Sequence, residues 1–132
     1  MSLEGKATIV IGIKAAGVIT ENAFVTIDTT AAFPGDLVCK MAGAGDPIHG
    51  VNCYAITAAG QTATICIRGY GKLVTLGATP GSVLLGSKVK ADSAGLAVLA
   101  SSTNQSGGTV LAVDTTAGDS IPINIEPLTV AP

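Results

Sequence analysis

GVNCYAITAAGQTATICIRG, Gly50 to Gly69, returns later in the chain as GTVLAVDTTAGDSIPINIEP, Gly108 to Pro127. The stretches align without a gap: Gly50 with Gly108, Thr57 with Thr115, Ala59 and Gly60 with Ala117 and Gly118, Ile65 and Ile67 with Ile123 and Ile125. Both end in the two-residue hydrophobic period of a half-buried strand. Ala63, Ile65 and Ile67 alternate with Thr62, Thr64, Cys66 and Arg68, and Ile121, Ile123 and Ile125 alternate with Ser120, Pro122, Asn124 and Glu126. No window of similar length has a helical stripe. Each copy therefore reads as strand, tight turn, strand, with Gly60 and Gly118 supplying the positive φ that the turn requires.

Further short strands are expected at Ala7–Lys14, Ala23–Asp28, Asp36–Met41, Lys72–Leu76, Lys88–Ala91 and Leu96–Ala100. Turn signals separate them: Phe33-Pro34-Gly35-Asp36, Gly43 to Pro47, Thr79-Pro80-Gly81 and Ser106-Gly107-Gly108. Short strands between Gly and Pro turns predict an all-β fold, a small single-domain barrel or sandwich with a duplicated hairpin. The two hairpins are expected to face each other across a small barrel. Pro122 cannot donate to a ladder, so its strand should lie at an edge or direct that nitrogen outward.

Three segments follow from this pattern: residues 1–22 as a first strand or N-terminal arm, 23–126 as the β-domain, and 127–132 as a C-terminal tail. Ala7–Lys14 reads better as a strand of its own sheet than as an arm added to a neighbouring subunit. The tail is either a docked strand or a frayed end.

The 132 residues suffice for one ordinary domain without staples. Only 3% are aromatic and 12% charged, against about 25% charged in a typical soluble domain. The core must come from Val, Ile, Leu and Ala, and so little exterior charge reads as either a surface partly covered by other protein or the compositional bias of a small Ala- and Gly-rich chain. A net charge of −2 with scattered Lys and Arg leaves no footprint for nucleic acid. Ala7 to Ile13 is too short to cross a bilayer, and Glu4 spoils a basic leader, so no membrane partner is expected. Cys39, Cys53 and Cys66 are odd in number and lack metal-ligand spacing, which suits a reducing compartment.

Chemistry-bearing candidates are few. His49, the single histidine, stands four residues before Cys53, but along a strand that separates them by about 13 Å. This is too far for a nucleophile and its base. Cys53 and Cys39 read as core positions, whereas Cys66 reads as either a subunit contact or a surface thiol. Asp36, Asp46, Asp92, Asp114 and Asp119 sit in or beside turns, where aspartate caps its own backbone. No phosphate-cradling glycine pattern is present. No catalytic residue, cofactor or metal is assigned, and the chain is expected not to be an enzyme. Arg68, Tyr70 and Lys72 alternate in RGYGK and read as either a protein-contact patch or a solvated face. Sugar binding by a surface-displayed β-domain is an alternative, but Phe24, Phe33, Tyr54 and Tyr70 are too dispersed to stack on glycans.

From Pro34 to Glu126 the order of features resembles the small capsid cement or head decoration proteins of tailed bacteriophages. The PGD turn, DPIHGV, the TAAGQTATICIRG hairpin, the stretch from Gly86 to Val98 and the closing GTVLAVDTTAGDSIPINIEP carry the resemblance. It implies a virion structural protein on the outer face of an icosahedral head, binding the major capsid protein and stabilising contacts between neighbouring subunits. It also implies a homo-oligomer, a trimer by preference, made in the bacterial cytoplasm.

Overall fold

In a computed structural model of the chain, residues 9–28, 37–101 and 104–131 are described. They form ten strands: β1 Ile9–Ala15, β2 Phe24–Ile27, β3 Val38–Met41, β4 Gly50–Asn52, β5 Thr62–Arg68, β6 Tyr70–Thr75, β7 Lys88–Ala91, β8 Ala97–Leu99, β9 Gln105–Val110 and β10 Ser120–Val130. The protein is all-β, and its strands divide into two five-stranded sheets. The first, in order β1-β3-β2-β4-β5, closes on itself through a parallel β1–β3 pair. The second runs β6-β10-β9-β7-β8. The two pack in a sandwich-like body rather than one ten-stranded barrel.

The duplicated hairpins keep the same register. Val51 faces Cys66 and Asn52 faces Ile65 in the first, as Thr109 faces Asn124 and Val110 faces Ile123 in the second. Gly60 and Gly118 turn at φ 90° and 86°. A β-carbon on Gly50 would stand 2.6 Å from the Cys66 carbonyl oxygen, and one on Gly108 would stand 2.3 Å from that of Asn124. Both glycines are needed because the paired backbone passes too close for any side chain.

The repeat extends beyond the hairpin to every strand. Ile13 pairs with Ala63 as Val74 pairs with Ile121. Val25 meets Gly50 and Met41 as Val89 meets Gly108 and Leu99. The parallel contact Ala15–Cys39 that closes the first sheet returns in the second as a single bridge, Leu76–Ala97. Loop hydrogen bonds repeat as well: Ala16 N–H to Cys39 O and Gly77 N–H to Ala97 O are both 2.8 Å. The chain is thus a tandem pair of one five-stranded unit.

The hairpins do not face each other across one barrel, since each belongs to its own sheet. What joins the halves is a shared core. Phe24, Ala42, Ile48, Val51 and Cys66 of the first half cluster with Val74, Leu76, Val89, Ile121 and Ile123 of the second. A smaller cluster, including Ile13, Ile19, Val25, Cys39 and Ile65, fills the first barrel. At the positions matching Phe24, Val51 and Cys66, the second half carries Lys88, Thr109 and Asn124. The face that is apolar in the first half is thus polar in the second.

One local expectation needs correction, and the alternatives left open for Pro122 and for the tail are decided. Ser106-Gly107-Gly108 is not a turn but part of β9. Its glycines are there because the Phe24 ring and the Asn124 backbone press against them. Pro122 lies in β10, between β6 and β9, not at an edge. The chain accommodates it because the β9 ladder ends at Val110, opposite Ile123, and the Pro122 carbonyl still accepts from Leu111 N–H at 3.0 Å. The tail pairs within its own chain, Thr129 with Ser106 and Val130 with Gln105. Ile9–Ala15 likewise pairs with β5 of its own chain.

Candidate functional site

One end of the first barrel opens as an apolar mouth. A pocket of about 180 Å³ enters between Ile11 and Ile13 of β1, Val25 and Ile27 of β2, and Ile65 and Ile67 of β5, with Leu37, Cys39 and His49 completing the wall. Its rim is exposed and apolar: Ile11 is 37% and Leu37 60% accessible. β-Branched residues belong here because the β1 edge is strand, yet their side chains lack the cover that a core strand receives. Among the described residues, β1 pairs along Ile9 to Ile13 with β5 only, since β3 joins it at Lys14 and Ala15.

His49 sits at the margin of this mouth, on whose wall Cys39 also stands. Its Nδ1 accepts the Ile27 N–H at 3.2 Å and lies 3.4 Å from the Thr26 hydroxyl. Burial pushes the imidazole pKa below 6.5, against a hydrogen bond with the Pro47 backbone that raises it. Cys53 packs instead against the shared core, and no hydrogen bond joins it to His49 among the described residues. Burial pushes the Cys39 thiol up to about 11. Cys66 is neither a subunit contact nor a surface thiol. It is buried between the two halves, donates to Arg68 O at 3.2 Å and is pushed up by burial. Its face points outward from the first sheet, but the second sheet covers it.

Arg68, Tyr70 and Lys72 do not share one strand. Arg68 ends β5 opposite Ile9, Tyr70 opens β6 opposite Asn124, and Gly71 between Tyr70 and Lys72 has φ 90°. Arg68 and Tyr70 are exposed, while Lys72 Nζ donates to Asn22 Oδ1 at 2.6 Å and braces the junction of the halves. Arg68 pairs with Ile9, an exposed apolar residue of β1. Tyr54 is exposed beside β4 of the first sheet, whereas Tyr70 belongs to the second.

The aspartates cap turns. Asp46 Oδ2 accepts from Gly43 N–H at 2.8 Å, and Asp92 Oδ1 accepts from Ala94 and Leu96 N–H at 2.8 and 3.0 Å. Asp114 and Asp119 do come together, on an exposed turn. The Thr116 N–H holds the Asp114 carboxyl low, while its hydrogen bond with Asp114 pushes Asp119 up. Asp36 and Phe33 lie outside the described residues. Among the described residues no three His, Cys, Asp or Glu side chains gather to hold a metal ion, and no helix is long and apolar enough to cross a membrane.

The polar face of the second half is built on Lys88, whose Nζ donates to Glu126 Oε1 and to Thr109 Oγ1, each at 2.6 Å. Partial burial would raise the Glu126 carboxyl, but the hydrogen bonds from Lys88 and Thr109 and the Lys88 charge hold it below 4.5. Sequence reasoning missed both this cluster and the mouth. Neither is contiguous in the chain, and only the register of the second half against the first would have placed them.

No protein-family model and no curated protein sequence matches the chain. The fold is similar to that of the N base of the head fiber protein gp8.5 of bacteriophage phi29. The TM-score is 0.68 over 90% of this chain and 94% of that one, at 10% sequence identity.

Proposed function

We propose that the chain is a structural protein of a tailed-bacteriophage virion, attached to the outer face of the icosahedral head, where it binds the major capsid protein and stabilises contacts between neighbouring subunits. The observation that carries this reading is the fold likeness, nearly end to end, to the base of a phage head fiber. The sparse charge and the exposed apolar strand edge support it, because both suit a surface covered by other protein. Three free cysteines fit synthesis in a bacterial cytoplasm.

The role needs no catalysis. A shell under internal pressure fails where capsomers separate, and a block bound across that boundary opposes the separation. One contact of about 1,600 Å² holds at useful affinity. A homotrimer engaging several sites at once multiplies it through effective concentration. In this reading Arg68 and Tyr70, both exposed, supply polar contacts to the partner surface.

The test mixes purified protein with expanded, undecorated heads. Saturable binding at a fixed number of copies per head, with a gain in resistance to heat or chelator, is expected. Linear, non-saturating uptake or no binding overturns the proposal.

A further inference from the structure

One histidine ring stands between two cavities that meet at the end of β2. The apolar mouth lies on one side. On the other is a polar hollow of about 350 Å³, walled by Thr26, Ile27, Lys40, Asp46, Pro47 and His49. Ile27 and His49 belong to both walls, and the 3.2 Å bond from Ile27 N–H to His49 Nδ1 ties the two residues into one partition.

That bond stands in for a rung of the sheet. β2 and β4 pair as Phe24–Val51 and Val25–Gly50, and His49 N–H still donates to Val25 O at 2.9 Å. At the next donor a side chain replaces the backbone: the Ile27 N–H meets an imidazole nitrogen where a ladder would present a carbonyl. A ring nitrogen accepts only while it carries no proton, so the bond requires a neutral imidazole with its hydrogen on Nε2. In the second half Gly107 holds the position of His49, and no ring can play this part.

We propose that the Ile27–His49 bond is an acid-released latch, which opens on protonation of His49 and joins the mouth to the hollow. A proton on Nδ1 sets two N–H groups against each other, and Ile27 loses its acceptor whichever way the ring then turns. The charged ring has acceptors close by. Thr26 Oγ1 lies 3.4 Å from Nδ1, the Pro47 backbone favours the imidazolium, and the Asp46 carboxylate lines the same hollow. Lys40, which reaches the hollow from β3, is the opposing charge. On the mouth side β3 offers Cys39, a thiol that burial keeps neutral, while β1 and β5 offer Ile11, Ile13, Ile65 and Ile67. The closed position therefore holds above the folded-state pKa and is lost as pH falls through it. Burial sets that value below 6.5. The latch is a property of the first barrel and does not rest on the virion role.

The test is an NMR titration of the full chain from pH 8 to pH 4. The Ile27 amide should shift with the His49 ring at one shared midpoint. Below it, Ile27 protection against hydrogen exchange, corrected for the intrinsic rate, should fall about ten-fold or more. The methyl resonances of Ile27 and Ile67 should move with it. Val89, paired on both sides in the second half, should keep its protection. His49→Gln, whose side-chain carbonyl accepts without titrating, should hold Ile27 protected throughout, whereas His49→Ala should leave it unprotected at every pH. Asp46→Asn should leave the transition in place, because the ring and not the carboxylate drives it. Ile27 protection that stays constant through the His49 titration overturns the proposal, as does a ring still neutral at pH 4. So does a loss of protection that persists in His49→Gln, that Asp46→Asn abolishes, or that Val89 shares equally, the last being unfolding of the whole chain.

Discussion

Replacing Gly107 with alanine tests the joint between the halves from its tightest point. The added carbon would stand 2.4, 2.8 and 2.9 Å from Cε1, Cζ and Cδ1 of Phe24, a ring with no accessible surface and walled by the shared core. Overpacking of this kind costs about 1–3 kcal/mol. Phe24→Ala alone leaves a ring-sized void, at about 3–5 kcal/mol. In the double variant the alanine methyl enters the space that the ring has left. The combined loss should therefore fall at least ~1 kcal/mol short of the sum of the two single losses. The change that Gly→Ala makes in the unfolded chain is common to both backgrounds and cancels in the cycle. Urea unfolding of the four proteins gives the numbers, with equal m-values as the check on two-state behaviour. Should Phe24→Ala prove too unstable, Phe24→Leu also frees space and keeps the same sign. Additivity within about 0.5 kcal/mol would mean that the ring does not press on Gly107, and the account of the joint would be wrong.

Gly50→Ala and Gly108→Ala put the same atom against matching carbonyl oxygens, so chemical denaturation should show both losing about 1–3 kcal/mol, neither spared. The His49 imidazole should titrate below 6.5 by NMR in the folded protein. A depressed folded-state pKa means that its contribution is present above pH 6.5 and is lost as pH falls through the folded value; His49→Gln should flatten that limb of the stability curve. Glu126, held below 4.5, contributes likewise above that pH and loses its contribution as pH falls through its folded value, a loss that Glu126→Gln should remove from acid unfolding. In thiol labelling at pH 8, half-buried Cys53 should react first, with Cys39 and Cys66 protected until the chain unfolds. Cys39 reacting as fast as Cys53 would contradict its burial.

The strands were legible because alternation survives wherever one face is buried. Ile121, Ile123 and Ile125 are interior as their spacing requires. The hairpin repeat was legible because its turn glycines and close-approach glycines admit little substitution. The rest of the repeat was hidden by the very residues that give each half its job. Phe24 and Lys88 occupy one structural position, as do Val51 and Thr109, because one half buries that face and the other wets it. The connection from Ile27 to Cys39 is also longer than that from Ala91 to Ala97, so no single offset aligns the whole. Cys66 was misread for the same reason. Its polar counterpart Asn124 implied an outer face, and only the second sheet packed over β5 makes that face interior. Sequence spacing placed Arg68, Tyr70 and Lys72 on one strand, but the chain changes sheets at Gly69.

The account of this protein's work is tested most directly by reconstructing undecorated phage heads incubated with an excess of it. Discrete density of this ten-stranded shape, repeated on the outer face at positions that touch more than one capsid subunit, is the predicted result. Heads that reconstruct bare, or density confined to the interior, would contradict it.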